Sequence, residues 1–170
     1  MKIFSLLMLL CLSWVPAAQA QQYASGNTDI RTSQGTLRVN SGYVSHFNAH
    51  SFHVYTFQYH PASGGAVWNQ LPLLPSSEAP PTEFLVKVTA TADFPLRDAR
   101  VVVESNDVAL YVAQLKFKTT PYDEDSTVEM YRYLLKQQPD EERWVWVLDT
   151  TRLLPKGVNV TQALTRISNR

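Results

Sequence analysis

Apolar and polar residues alternate along three consecutive segments in the middle of the chain. The segments cover residues 83–92, 96–104 and 108–118, and residues that favour turns separate them. In the first segment, apolar residues at every second position alternate with lysine and threonine. A period of two places successive side chains on opposite faces of a β-strand. The pattern therefore predicts three adjacent antiparallel strands that share one buried face.

Further strands are predicted on both sides of this central group. Residues 36–39 alternate, and residues 43–47 and 52–59 are rich in aromatic and β-branched side chains, which favour strands. Residues 48–51 lie between the last two segments and predict a four-residue hairpin loop. Residues 143–148 carry apolar side chains at nearly every position, which is typical of a central strand buried on both faces.

Two helices are predicted after the central strands. Ser126 and Glu129 have the spacing of a capping box, and apolar residues at helical spacing follow them. This combination predicts a helix near residues 127–138. A short C-terminal helix is predicted over residues 160–167, with Asn159 as its N-cap.

These elements predict a mainly β fold. The short strands and frequent turns favour an antiparallel two-sheet sandwich of the immunoglobulin-like kind, with the two helices covering an edge or an open end. The alternative is an α+β arrangement, in which a single antiparallel sheet packs on the longer helix.

The first twenty residues have the features of a secretory signal peptide. Lys2 supplies the positive start, residues 3–15 form an apolar stretch, and small residues precede a cleavage site after Ala20. The apolar stretch is too short to cross a bilayer, which takes about 20 residues. Since no second long apolar run follows, we expect a periplasmic or secreted protein without a membrane anchor after cleavage.

Removal of the signal peptide changes the composition in two ways. The single cysteine, Cys11, is lost, so disulfides and thiolate metal sites are excluded from the exported chain. The loss of Lys2 leaves 15 acidic residues and a formal net charge of −1. This charge gives no electrostatic reason to expect binding to nucleic acid.

The remaining chain divides into three parts. Residues 21–34 are polar and predict a flexible N-terminal leader, and residues 35–170 predict a single β-rich domain. Within that domain, residues 61–82 form a proline-rich loop that is too apolar for a solvated linker. We expect this loop to wrap the sheet and to dock four side chains, with a binding loop as the alternative. The four are Trp68, Leu71, Leu73 and Leu74.

Three histidines near the predicted hairpin loop are candidate metal ligands. If residues 48–51 form the loop, His46 stands directly opposite His53, and His50 lies in the loop between them. Imidazole is a common ligand of Zn²⁺ and Cu²⁺, so these residues define a possible zinc or copper site. The alternative is that His46 and His53 are ordinary half-buried residues of a sheet.

No motif for catalysis is present. The sequence lacks a Gly-x-Ser-x-Gly nucleophile turn and a phosphate-binding glycine loop. It therefore favours a non-enzymatic binding or assembly protein without a cofactor, which acts through a sheet face, a strand edge or the 61–82 loop. The aromatic side chains of Trp68, Tyr55 and Phe57 are candidate binding residues. The expected partner is another exported or envelope protein.

Overall fold

The computed structural model describes residues 22–46, 51–105, 107–138 and 143–167. The predicted signal peptide lies outside these residues and stays a prediction. The described part is mainly β, with one helix. The elements are β1 (Gly26–Thr32), β2 (Gly35–Val44), β3 (Phe52–Pro61), β4 (Asn69–Gln70), β5 (Leu73–Leu74), β6 (Val86–Ala90), β7 (Pro95–Val103), β8 (Val108–Lys116), β9 (Thr127–Gln138), β10 (Arg143–Leu153) and α1 (Val160–Ile167).

The strands form one large sheet in the order β1-β2-β3-β6-β7-β8-β9-β10-β5, and β4 pairs with β3. All neighbours are antiparallel except β5, which pairs with β10 in parallel. The predicted meander is confirmed as β6, β7 and β8, and the predicted central strand over residues 143–148 as part of β10. The immunoglobulin-like two-sheet sandwich is not confirmed, because the strands belong to a single connected sheet.

The sheet bends where β6 connects to β7, because residues 86–88 of β6 pair with β3 and only residues 89–90 pair with β7. Only two residue pairs join these strands, Thr89 with Arg97 and Ala90 with Pro95, and the register shifts between them. Beyond the bend, the inner faces of β3 and β10 meet across the core, where the rings of Phe57 and Trp146 lie 5.9 Å apart at 85°.

The main core fills this curled inner face. Its largest fully buried side chains are aromatic, and each ring removes a large apolar area from water. They are Trp146, Tyr55, Tyr59 and Phe57. A second, smaller core lies on the outer face, where α1 packs on β7, β8 and β9. It consists of Ala113, Val128, Met130, Val160, Ala163 and Leu164.

The predicted helix near residues 127–138 is wrong, because these residues form strand β9. The strand pairs with β8 over residues 127–134 and with β10 over residues 129–138. Its alternate residues Val128 and Met130 are buried beneath α1. The capping box does not form, and Glu129 accepts instead from the Tyr131 hydroxyl and from Lys116. Long-range pairing on both edges therefore outweighs the local helical signal, and the α+β alternative loses its helix as well.

The C-terminal helix is confirmed as α1. The Gln162 amide N–H donates to Asn159 Oδ1 at 2.8 Å, and Gln162 Oε1 accepts from the Asn159 N–H at 3.1 Å. This reciprocal pair satisfies free backbone donors at the start of the helix. In the part of the chain that the structure describes, no helix has the length and apolar character needed to cross a membrane.

The flexible N-terminal leader is a second wrong prediction. Residues 26–32 form strand β1, and Tyr23 is buried with its ring edge-on to Tyr55 at 5.3 Å. The Tyr23 hydroxyl accepts a hydrogen bond from the Val101 N–H at 2.8 Å, and Asp98 Oδ1 accepts from the Ala99 N–H at 2.7 Å. Tyr23 of the N-terminal segment thus accepts from a backbone donor on the edge of β7 that no described strand pairs with.

Replacing Tyr23 with phenylalanine is expected to lower the free energy of unfolding by about 1–3 kcal/mol, because the buried Val101 N–H loses its acceptor. Urea denaturation measures this change. The matched control is Tyr43→Phe, since Tyr43 is 56% exposed and its replacement leaves the buried N–H paired. Equal stability of the two variants would contradict the role of Tyr23.

The buried carboxyl of Asp98 predicts a pH dependence of stability. Burial raises its pKa to about 6, although the Ala99 N–H, the Tyr55 hydroxyl and the Gln22 N–H donate to it. The ionised form is therefore disfavoured in the fold. The stabilising contribution is complete below about pH 4 and is lost as the pH rises through about 6.

The Asp98→Asn variant lacks this titration. We expect the unfolding free energy of the wild type, relative to that of Asp98→Asn, to fall by about 2–3 kcal/mol between pH 4 and pH 7. Urea denaturation of both proteins across this range measures the difference. A difference that is constant or that increases with pH would show that burial does not control this carboxyl.

Candidate functional site

The predicted pairing of His46 with His53 is wrong. Strands β2 and β3 pair Tyr43 with His53 and Val44 with Phe52, three residues away from the predicted register. Directly paired residues share a face of the sheet. The predicted register would place the apolar side of β2 on the polar side of β3, whereas the actual one brings Val39 opposite Phe57 in the core.

The described histidines face different surroundings. The ring of His46 lies 5.6 Å from that of Phe52, and the ring of His53 lies 5.0 Å from that of Tyr43. Since Phe52 and His53 are neighbours in β3, they point to opposite faces. His50 lies outside the described residues. Among the residues that are described, no three His, Cys, Asp or Glu side chains converge as metal ligands would.

The aromatic binding candidates also lie elsewhere than expected. Tyr55 and Phe57 are fully buried in the core, so they do not form a binding surface. Trp68 packs on the outer face, 4.2 Å from the guanidinium of Arg38 and 5.3 Å from the ring of His60. The leucines of the 61–82 loop are fully buried, so this segment docks on the sheet. They are Leu71, Leu73 and Leu74.

The most distinctive concave surface lies between α1 and the outer face of β9 and β10. It has a volume of about 390 Å³, and we call it the arginine groove. Its apolar part consists of Met130, Leu154, Ala163 and Ile167. Two arginines, Arg152 and Arg166, line it as well.

A β-bulge in β10 builds one side of the arginine groove. Leu148 pairs with Tyr133 and Thr150 pairs with Arg132, so Asp149 is the extra residue. A bulge reverses the facing of every residue that follows it. As a result Arg152 lies opposite Met130 on the outer face.

An ion-pair network closes one end of the arginine groove. Arg132 donates to Asp149 Oδ2 at 2.5 Å and also to Glu104 Oε2. The Tyr111 hydroxyl donates to Glu104 Oε1 at 2.6 Å and accepts from Arg132 Nε at 3.1 Å. Every charged group of this network therefore has a partner of opposite charge.

The network shifts the pKa values of Glu104 and Arg132. Burial by itself would raise the pKa of Glu104, but the hydrogen bonds from Arg132 and Tyr111 outweigh it and lower the pKa. Burial likewise opposes the charge on Arg132, but hydrogen bonds to Glu104, Asp149 and Tyr111 raise its pKa. Both side chains are therefore charged at neutral pH.

Arg152 and Arg166 differ from Arg132 in their surroundings. Both are exposed, and neither has an ion-pair partner among the residues that the structure describes. The arginine groove thus combines three arginines with two carboxylates, Glu104 and Asp149. Arg132 and the two carboxylates together carry one negative charge, so the two exposed arginines bring the formal charge of the lining to +1.

A second cavity of about 310 Å³ lies at one end of the inner face. Tyr59 and Trp144 line it with ring centroids 4.6 Å apart, and its remaining lining is largely polar. Glu104 lines both cavities. In the part of the chain that the structure describes, the inner-face cavity carries no pair of arginines comparable to Arg152 and Arg166.

Sequence reasoning missed the arginine groove for a structural reason. Arg132 lies in a segment whose pattern predicts a helix, and Arg152 follows a bulge at Asp149 that no glycine or proline marks. Arg166 lies in the last turn of α1, where the positive charge of a basic residue interacts favourably with the helix dipole. That explanation is local, however, and does not point to a groove.

Comparison with known proteins gives a likeness of fold. No family model matches the sequence, and no curated protein matches it. A solved structure described as "Crystal structure of CarG" is similar, with a TM-score of 0.64 and 20% sequence identity. The likeness covers 84% of this chain and 91% of that chain. It therefore extends over most of both folds.

Replacing Arg132 with methionine is expected to lower the free energy of unfolding by about 1–2 kcal/mol at pH 7. The variant keeps the apolar stem but leaves Glu104 and Asp149 without their cation. Urea denaturation measures the change, with Arg152→Met as the control because Arg152 has no ion pair in the described chain. We expect the control to stay within about 0.5 kcal/mol of the wild type. Similar losses in both variants would show that the network adds no stability.

Proposed function

We propose that the protein is an exported, non-enzymatic binding protein whose arginine groove holds a small molecule with an anionic group on an apolar body. One observation carries the proposal. Two exposed arginines, Arg152 and Arg166, border an apolar concavity and have no ion-pair partner among the described residues. The neighbouring Arg132, by contrast, is fully engaged by Glu104 and Asp149.

The chemistry of the lining supports this class of ligand. A guanidinium group forms paired hydrogen bonds with carboxylate, phosphate or sulfonate oxygens. The side chains of Met130, Leu154 and Ile167 offer an apolar surface, and methionine adapts readily to the shape of a ligand. A volume of about 390 Å³ suits a small organic molecule.

The electrostatics of the arginine groove support binding rather than catalysis. A general acid or base works best with a pKa near the operating pH. The pKa of Glu104 is lowered, so this carboxyl is ionised at neutral pH and has no proton to donate there.

Export and a protein partner are two further parts of the proposal. The signal-peptide features of residues 1–20 support export to the periplasm or beyond. That the partner is another exported or envelope protein stays a prediction. The zinc or copper alternative at His46, His50 and His53 has lost the strand register from which it was argued.

Anilinonaphthalene sulfonate tests the proposal, since it joins a sulfonate to an apolar ring system and fluoresces on binding. We expect saturable binding by the wild type, and affinity lowered by at least about tenfold in both Arg152→Glu and Arg166→Glu, because each replacement repels the anion. Phenylnaphthylamine, which lacks the sulfonate, is the ligand control and should bind equally to all variants.

Arg31→Glu is the matched protein control, because it makes the same charge change on strand β1. It should bind the sulfonate as the wild type does. If Arg152→Glu and Arg166→Glu bind the sulfonate as tightly as Arg31→Glu, the arginine groove is not an anion site and the proposal fails.

A further inference from the structure

Strand β1 leaves one long edge of the sheet open. The strand order ends in β1 on one side and in the two-residue strand β5 on the other. In the described part of the chain, β1 pairs only with β2, one residue to one from Gly26 with Ser41 to Thr32 with Gly35. It contains no proline and no bulge, two of the features that usually protect an edge from pairing, and its two charged residues are Asp29 and Arg31.

The free backbone groups of β1 can be identified from its hairpin. A two-residue loop closes on the pair Thr32 and Gly35, which is a hydrogen-bonded pair in such hairpins. Hydrogen-bonded and non-hydrogen-bonded pairs alternate along an antiparallel ladder. The N–H and C=O groups of Asn27, Asp29 and Arg31 therefore point away from β2 and are available to a further strand.

We propose that two copies of this protein associate through antiparallel pairing of their β1 strands, with Ile30 opposite Ile30 of the second copy. In this register Asp29 of each copy lies opposite Arg31 of the other. Asp29 and Arg31 share one face of the sheet, and opposite charges on directly paired residues stabilise a strand pair.

The charge pattern selects this register over its neighbours. A shift of one strand by two residues in one direction places Asp29 opposite Asp29 of the second copy. The same shift in the other direction places Arg31 opposite Arg31. Like charges directly opposite each other destabilise a strand pair. Asp29 already accepts two hydrogen bonds from Arg38, at 2.7 and 2.8 Å. A carboxylate has about four acceptor positions, so it can accept from Arg31 of the second copy as well.

The size of the contact sets the expected strength. A single pair of seven-residue strands is smaller than a standard stable protein interface, so we expect dimerisation in the micromolar range. Sedimentation of the chain that begins at Gln21, from about 1 to 500 µM, covers this range. Dimerisation by the wild type is the expected result, and a monomer at every concentration would overturn the proposal.

Charge exchange between two variants tests the register. In Arg31→Glu, the introduced carboxylate faces Asp29 of the second copy and repels it, and in Asp29→Arg the introduced guanidinium repels Arg31 in the same way. Each variant alone should dimerise at least about tenfold more weakly than the wild type. Their equimolar mixture should form heterodimers, because both cross-strand pairs are then of opposite charge. A mixture that associates no better than its components would overturn the register, as would variants that dimerise like the wild type.

Dimerisation through β1 and anion binding in the arginine groove are independent properties. Arg152→Glu should dimerise normally while losing sulfonate binding, and Arg31→Glu should bind the sulfonate while losing dimerisation. Failure of one idea therefore leaves the other testable. Pairing of β1 with a strand of a different protein is the competing explanation of the open edge, and it is indicated if the wild type stays monomeric.

Discussion

The short ladder between β6 and β7 determines the shape of the whole molecule. Two residue pairs hold these strands together before they separate, β6 toward β3 and β7 toward β8. This separation lets the sheet curl until Phe57 meets Trp146 inside it. It also leaves backbone donors on β7, of which those of Ala99 and Val101 are satisfied by Asp98 and Tyr23. The short ladder between β6 and β7 therefore accounts for the bend, for the core inside it and for the position of the N-terminal segment.

The outer face of the sheet shows how a local irregularity creates a surface with specific chemistry. Helix α1 covers the small apolar core over β8 and β9, but it does not cover the region beside the bulge at Asp149. There Arg132 pairs with both Glu104 and Asp149, and these ion pairs hold the three side chains in place. Arg152 and Arg166 lie beside that network, so their charge is directed toward an incoming anion.

Prediction from sequence succeeded where one pattern had one structural meaning. Alternation in the central meander has no helical interpretation, and the Asn159 cap follows from contacts within one turn. It failed where a pattern fits two structures. Tyr131, Leu134 and Leu135 lie on one face of a helix, yet in β9 they divide between the two faces of a strand. Pairing with β8 and β10 decided between these outcomes, and both partners are defined only in the folded sheet.

The register of β2 and β3 shows a similar limit with a different cause. The buried pattern of Val39 and Phe57 was sufficient to exclude the predicted pairing of His46 with His53, because it fixes which residues share a face. By itself, then, the sequence determined the mainly β class, the meander and the terminal helix, since these depend on contacts between near neighbours. The tertiary structure decided the bend, the burial of Tyr23 and the placement of Arg152, because each depends on backbone groups brought together from distant parts of the chain.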